Sequence, residues 1–430
     1  MSVKNYSNGL FEFIKKSPTA YHAVATVRDS LLGNGYTELA EGDAWSLENG
    51  KGYFTVKNGT SLIAFRYNDS AVGFSIVASH GDSPSFKVKP SGASACGAYT
   101  RIATERYGGM IMYSWLDRPL SIAGRVVTRS ADGIKSRLLN VDRDLLVIPS
   151  IAIHMNRRVN DGFAPNPAQD MIPLFSASGE EIKLNALIAS ELGINEGDII
   201  SHDLFLYVRE EGRVLGAKDE LMLCPRLDDL ACVYSSLEGF LSGGNADMIP
   251  ALAVFDNEEV GSDTKQGAAS TFFYDTLSRI IPDNEKYLRA LSNSFMISAD
   301  NAHAKHPNHP ELSDSENAPV VNGGIAIKYN ANQKYATDGI SAGVFTRICE
   351  LAGVSTQSYC NRADMPGGST LGSIANTKVS VFTVDIGMPQ LAMHSAVETA
   401  GVRDLEALIL ALSRFYSASI SVKSDEIKIK

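Results

Sequence analysis

Five consecutive apolar residues, Ala251-Leu252-Ala253-Val254-Phe255, run straight into Asp256-Asn257-Glu258-Glu259. The run reads as a short buried strand, of the kind found inside a sheet covered by helices. Two adjacent carboxylates at the end of such a strand are costly unless something positive holds them. Neighbouring side chains on an extended backbone point to opposite sides. Glu258 and Glu259 can therefore divide their labour, one binding a cation and the other facing a substrate. Alone, the dipeptide is equally an exposed acidic turn; the rest of the chain decides between the two.

Short apolar runs recur along the 430 residues. Strands are expected at 61–65, 73–78, 251–255, 295–298 and 379–384. Helices are expected at 10–16, 21–32 and 402–416, with Ser17-Pro18-Thr19 as a break and N-cap. Leu230, Val233, Tyr234, Leu237, Phe240 and Leu241 recur at helical spacing. Between residues 91 and 217 the texture changes. Strand-like pieces at 124–128 and 145–148 are separated by Gly, Pro and Asp, and 184–192 is the one stretch with helical period. The segment 91–217 reads as an inserted β-rich domain, flanked by the two parts of an α/β domain, 1–90 and 218–430. Alternating strands and helices predict a mixed, mostly parallel sheet with helices on both faces. The basic end, 423–430, reads as a solvated tail.

In sheets of this kind, sites gather beyond the carboxyl ends of the strands. Five segments deliver a polar group there. Residues 73–79 lead to His80-Gly81-Asp82, and 222–227 to Asp228-Asp229. Residues 251–255 lead to Glu258-Glu259, 295–299 to Asp300-Asn301, and 391–393 to His394. Two histidines with several carboxylates make a nitrogen and oxygen donor set suited to Zn, Mn or Co. Where two ions share a site, one carboxylate must bridge them. Taken singly, each residue has a plainer reading: a surface histidine, a helix-capping Asp pair, a turn.

Composition sets the remaining limits. A net charge of −10 argues against nucleic-acid and anionic membrane surfaces. The five cysteines show no CxxC spacing, which argues for mostly buried thiols in a reducing compartment. No apolar signal core opens the chain, so cytoplasmic residence is expected.

These motifs, in this order, resemble the aspartyl aminopeptidase family of two-metal zinc aminopeptidases. Ser17-Pro18-Thr19-Ala20-Tyr21-His22, His80-Gly81-Asp82-Ser83-Pro84, Arg226-Leu227-Asp228-Asp229-Leu230, Asp256-Asn257-Glu258-Glu259-Val260-Gly261, Ser298-Ala299-Asp300-Asn301-Ala302-His303 and Pro389-Gln390-Leu391-Ala392-Met393-His394-Ser395 carry the likeness nearly end to end. The resemblance implies two divalent ions, zinc first and Mn or Co as alternatives. Asp228 would bridge them, with His80 and Asp300 on one ion and Glu259 and His394 on the other. Glu258 would be the general base toward a metal-activated water, and Asp82 would orient His80. His154, in Ile153-His154-Met155, would reach a partner subunit's active site. Lys328 and Arg362 would line a pocket for an acidic first residue. The substrates would be peptides with a free N-terminus. The inserted domain would mediate dimerisation, in a homo-oligomer that the resemblance makes a dodecamer built from dimers.

Rival readings keep the site and change its use, to a two-metal deacylase or a carboxypeptidase-like hydrolase with Arg362 on the terminal carboxylate. A non-catalytic assembly is the third. His303, His306 and His309 form a tract that reads as an entrance loop, since Pro307 and Pro310 preclude regular ligand spacing on a helix.

Overall fold

The computed structural model describes residues 3–180, 182–244, 247–423 and 426–430. A nine-stranded sheet runs through its centre in the order Thr37–Glu38, Gly52–Lys57, Ser61–Arg66, Ile249–Phe255, Phe74–His80, Phe295–Ala299, Phe382–Gly387, Ile325–Tyr329, Thr356–Cys360. Five of its eight pairings are parallel, so the sheet is mixed and mostly parallel, as expected. Period-two alternation splits each central strand between two cores. Leu252 and Val254 pack with the helices Val3–Lys16, Leu227–Ser242 and Val402–Tyr416. Ala251, Ala253 and Phe255 pack on the other face against Phe272–Ile280 and Leu371–Asn376.

A second sheet has six strands, Gly133–Asn140, Leu120–Ser130, Ile199–Val208, Ser85–Cys96, Tyr99–Tyr107 and Leu174–Ser176, all antiparallel. Its strand Ser85–Cys96 is continuous across residue 91, because Phe86 and Val88 are buried in the second sheet's own core. A third sheet joins Arg213–Leu215, Leu221–Cys224, Glu398–Gly401, Pro389–Leu391 and Ala302–His303.

Three local expectations change. Residues 145–148 form no strand; Leu146 and Val147 make isolated bridges to Leu120 and Leu174. The strand expected at 379–384 is Phe382–Gly387, since the preceding helix Leu371–Asn376 ends in a turn. The basic end closes as a hairpin, Ile420–Lys423 against Glu426–Ile429, with Ile427 and Ile429 packed on the main core. Among the described residues, no helix is long and apolar enough to cross a membrane.

Thr19 occupies the N-cap position of Ala20–Gly33, yet its hydroxyl makes no capping bond. It shares a 2.9 Å hydrogen bond with Nδ1 of His22 instead. Burial, reinforced by the nearby Arg226 cation, pushes His22 down to about 4. A folded-state value below the unfolded one means stability present above about pH 6.5 and lost as pH falls. The wild type should lose about 2 kcal/mol relative to His22→Gln between neutral pH and about pH 5. Urea midpoints of the two proteins at both pH values check this; parallel shifts would show that His22 does not titrate in this range.

Candidate metal centre

The parallel strands Ile249–Phe255, Phe74–His80 and Phe295–Ala299 end at one rim, where ligand candidates lie, and the antiparallel strand Ile325–Tyr329 reaches it with a side chain from within. His80 closes Phe74–His80, Asp300 follows Phe295–Ala299, and Lys328 lies within Ile325–Tyr329. Glu258 and Glu259 occupy a single 3-10 turn, Glu258–Val260, which starts from Asn257 at φ +63° and ends on Gly261 at φ +99°. The two acids thus diverge through a turn and not through the extended backbone expected. Asp228 and Asp229 open the helix Leu227–Ser242 with non-helical backbone angles, joined by a cis peptide bond. Their carboxylates do not cap it: Asp229 accepts from the amide of His80 at 3.2 Å, and Asp228 faces the histidines. His394 lies between Pro389–Leu391 and Glu398–Gly401.

Asp228 stands at the middle. One carboxylate oxygen lies 3.7 Å from Nε2 of His80 and the other 3.4 Å from Nε2 of His394. Asp300 lies 3.9 Å from Nε2 of His80, and Glu259 is 3.4 Å from Nε2 of His394. Donor atoms gather in three overlapping clusters: His80 with Asp228, Asp229 and Asp300; Asp228 with Glu259 and His394; and His80 with Glu258 and Glu259.

The site concentrates acids whose carboxyls are displaced from their usual range. Burial pushes Glu258 up to about 8, and the carboxylates of Asp300, Asp82 and Asp228 add to that. Burial drives Glu259 and Asp229 well above the carboxylate range. Burial works on Asp228 too, but His394 and His80 outweigh it and hold its carboxyl low. Burial would depress His394; Asp228 and Glu259 instead lift it to about 10. One oxygen each of Asp228, Asp229 and Glu259 is buried without a hydrogen-bond partner. Buried acceptors are nearly always satisfied, so the orphaned oxygens of Asp228 and Glu259, which face Nε2 of His80 and of His394, fit a bound cation. The donors are all nitrogen and oxygen, which suits zinc, manganese or cobalt. The nearest thiol, Cys232, is engaged with Asn301 at 3.3 Å.

The supports are as specific as the donors. Nδ1 of His80 lies 3.0 Å from the backbone carbonyl of Asp82 and 3.5 Å from its carboxylate. That carboxylate also accepts from the amides of Glu258 and Glu259, both at 3.2 Å. Glu398 accepts from the amides of Asp228 at 3.0 Å and His394 at 2.7 Å. Lys328 is buried, 3.4 Å from Asp300.

A profile of the aminopeptidase I zinc metalloprotease family, M18, matches residues 13–416. The chain belongs to the M18 family. It is a metalloaminopeptidase. The probable M18 family aminopeptidase 2 of Clostridium acetobutylicum is 42% identical over 426 residues, covering 96% of this chain and 98% of the relative. That of Pseudomonas aeruginosa is 39% identical over 96% and 98%. The chain also resembles Ape4 in the cryo-EM structure of the Ape4 and Nbr1 complex, at TM-score 0.93 and 33% identity over 96% of this chain and 86% of that one. The M18 aminopeptidase of Thermotoga maritima superposes at TM-score 0.85 with 25% identity over 96% of each chain.

Two expected site residues lie apart from the M18 cluster. Arg362 is bound to the carbonyl of Glu311 and, at 2.8 Å, to Asp364. His154 is exposed, between Ile153 and Met155. The tract His303, His306 and His309 contributes to none of the three donor clusters. Asp229, Glu398 and Tyr107 went unassigned from the sequence. Asp229 shared the signal of its neighbour; Glu398 and Tyr107 act on backbone or through another side chain, which leaves no motif.

Proposed function

We propose that this M18 enzyme removes N-terminal residues from peptides, preferring Asp and Glu, with two divalent ions, most simply zinc. The reading rests above all on Asp228, whose two oxygens each face a different histidine. His80 and Asp300 would hold one ion, and Glu259 and His394 the other. Bound there, divalent ions supply Lewis acidity to a scissile carbonyl and to water. Glu258, half-buried and with its carboxyl pushed up to about 8, is the group suited to take a proton from water and return it to the leaving amine. Asp82 keeps both glutamates in place by accepting from their backbone amides.

Lys328 is the cation we assign to an acidic first residue. Its ammonium lies beside Asp300, 5.5 Å from the ring centroid of Tyr335. Arg362, engaged with Asp364, is a weaker second candidate. Residues 91–217 would serve dimerisation. Ile151, Ile153 and Met155 are exposed by 53%, 48% and 82%, an apolar patch that a second copy would cover around His154. His154 would then act in the neighbouring active site. The dodecamer seen for mApe1 of S. cerevisiae, 26% identical, favours a larger assembly of such dimers. Five free thiols suit a reducing, cytoplasmic setting.

Hydrolysis of Asp-, Glu-, Leu- and Lys-p-nitroanilides by zinc-loaded protein, repeated after chelation, tests this reading. Acidic anilides should be cleaved fastest, and chelation should stop the reaction. Lys328→Met should lower kcat/KM for Asp relative to Leu by about 10–100-fold, the worth of a charged hydrogen bond. Leu or Lys cleaved as readily as Asp would discard the acidic preference and the role of Lys328 together.

A further inference from the structure

The second sheet touches the metal centre directly. Its strand Tyr99–Tyr107 ends at the rim, and the three residues 107–109 each meet a different part of the site. The Tyr107 hydroxyl donates to the Asp82 carboxylate at 2.7 Å and accepts from the side-chain amide of Asn257 at 2.9 Å. Asp82 in turn holds the amides of Glu258 and Glu259. Gly108, at φ +73°, leaves little room for a side chain: a Cβ there would press on Glu259, 3.1 Å from its Cβ. The carbonyl of Gly109 is bound to Nδ1 of His394, which turns Nε2 toward Asp228. The amide of Ile111 donates to the carbonyl of His394 at 3.0 Å.

We propose that residues 107–109 of the second sheet are a positioning strap for the metal centre, Tyr107 acting through Asp82 on Glu258 and Glu259, and Gly109 on His394. The strap is supplied in cis, so it is distinct from any residue a partner subunit adds. Tyr107 is buried enough, and close enough to Asp82, that its phenol stays protonated and serves as a donor. Its ring packs edge-on against Phe205 at 5.5 Å, a contact that Phe would keep. The consequence is that loss of the hydrogen bonds made by residues 107–109 is felt at the glutamates and at His394, whereas looser packing that leaves those bonds in place is not.

The inference rests on the two-ion reading, and the test separates them. Zinc affinity is read first, without substrate, by competition with a chromophoric chelator on the full-length protein. Outer partners of metal ligands usually contribute about 10–100-fold in affinity or activity. Tyr107→Phe should weaken zinc binding and lower kcat at saturating zinc by about 10-fold or more, with KM within about 2-fold. Phe205→Leu, which loosens the same packing without touching the hydroxyl, should leave zinc affinity and kcat as in the wild type. If Tyr107→Phe does not fold, Gly108→Ala takes its place, with the same losses expected from pressure on Glu259. Wild-type zinc affinity and kcat in the folded variant would overturn the strap. Equal losses in Phe205→Leu would overturn it too, by reducing it to general packing. Failure of the wild type to bind zinc at all would fall instead on the two-ion reading.

Discussion

Glu258→Gln lowers kcat by about 10²–10⁴-fold, the range for a positioned general base, while KM and metal content stay near those of the wild type. Gln matches Glu in shape but cannot accept a proton. The backbone amide that anchors residue 258 to Asp82 is untouched by the change. Of the two glutamates, Glu259 carries the buried oxygen without a hydrogen-bond partner, so the proposed donor set survives. The measurement is steady-state hydrolysis of the best p-nitroanilide, with metal stoichiometry by elemental analysis on the same samples. Loss of an ion along with activity would recast Glu258 as a ligand, a real alternative because its carboxylate falls in one cluster with His80 and Glu259. Activity within about 3-fold of the wild type at full metal content would remove it from the chemistry.

How much of this was legible in the residues depends on what each one does. Ala251 to Phe255 could be read as a buried strand because both of its faces are apolar, and they are so because each faces its own core. The next strand was displaced because Val379 and Val381 are also buried, in the core beneath the turn that precedes it. The terminal hairpin alternates Glu426, Ile427, Lys428 and Ile429, a strand pattern masked by its basic composition. Ligand candidates were legible because five separate segments each deliver an acid or a histidine just after an apolar run, although each one alone has a plainer reading. Supports were not. Glu398 acts on the amide of Asp228 across 170 residues of chain, and no local pattern announces such a contact. Asp82 illustrates the middle ground. It stands two residues after His80, and its carbonyl lies beside that ring, but its carboxylate also serves the glutamate backbone, which only the tertiary arrangement makes visible.

Loss of Asp228, the carboxylate proposed to bridge the two ions, should be the most damaging single change. Asp228→Asn is expected to bind fewer than two zinc ions and to lose about 10³-fold or more in kcat, as removal of Lewis acidity worth several kcal/mol requires. The reason is geometric. Asp228 offers an oxygen to the His80 side and another to the His394 side, at 3.7 and 3.4 Å from their Nε2 atoms. Asn keeps one acceptor and puts an NH₂ donor on the other side. That donor would hydrogen-bond the imidazole lone pair needed for a cation. The fold should survive, because Glu398 still holds the amide of residue 228. Apo Asp228→Asn should melt somewhat below apo wild type, because it loses the contacts with His394 and His80 that hold the Asp228 carboxyl low. Zinc should separate them further: at free zinc about 1,000 times Kd the wild type gains about 4 kcal/mol, and the variant gains less. Thermal melts with and without zinc, read beside kcat and metal stoichiometry, make the comparison. A variant that binds two ions as tightly as the wild type would show that Asp228 does not bridge, and the paired assignment of His80 and His394 would fall with it.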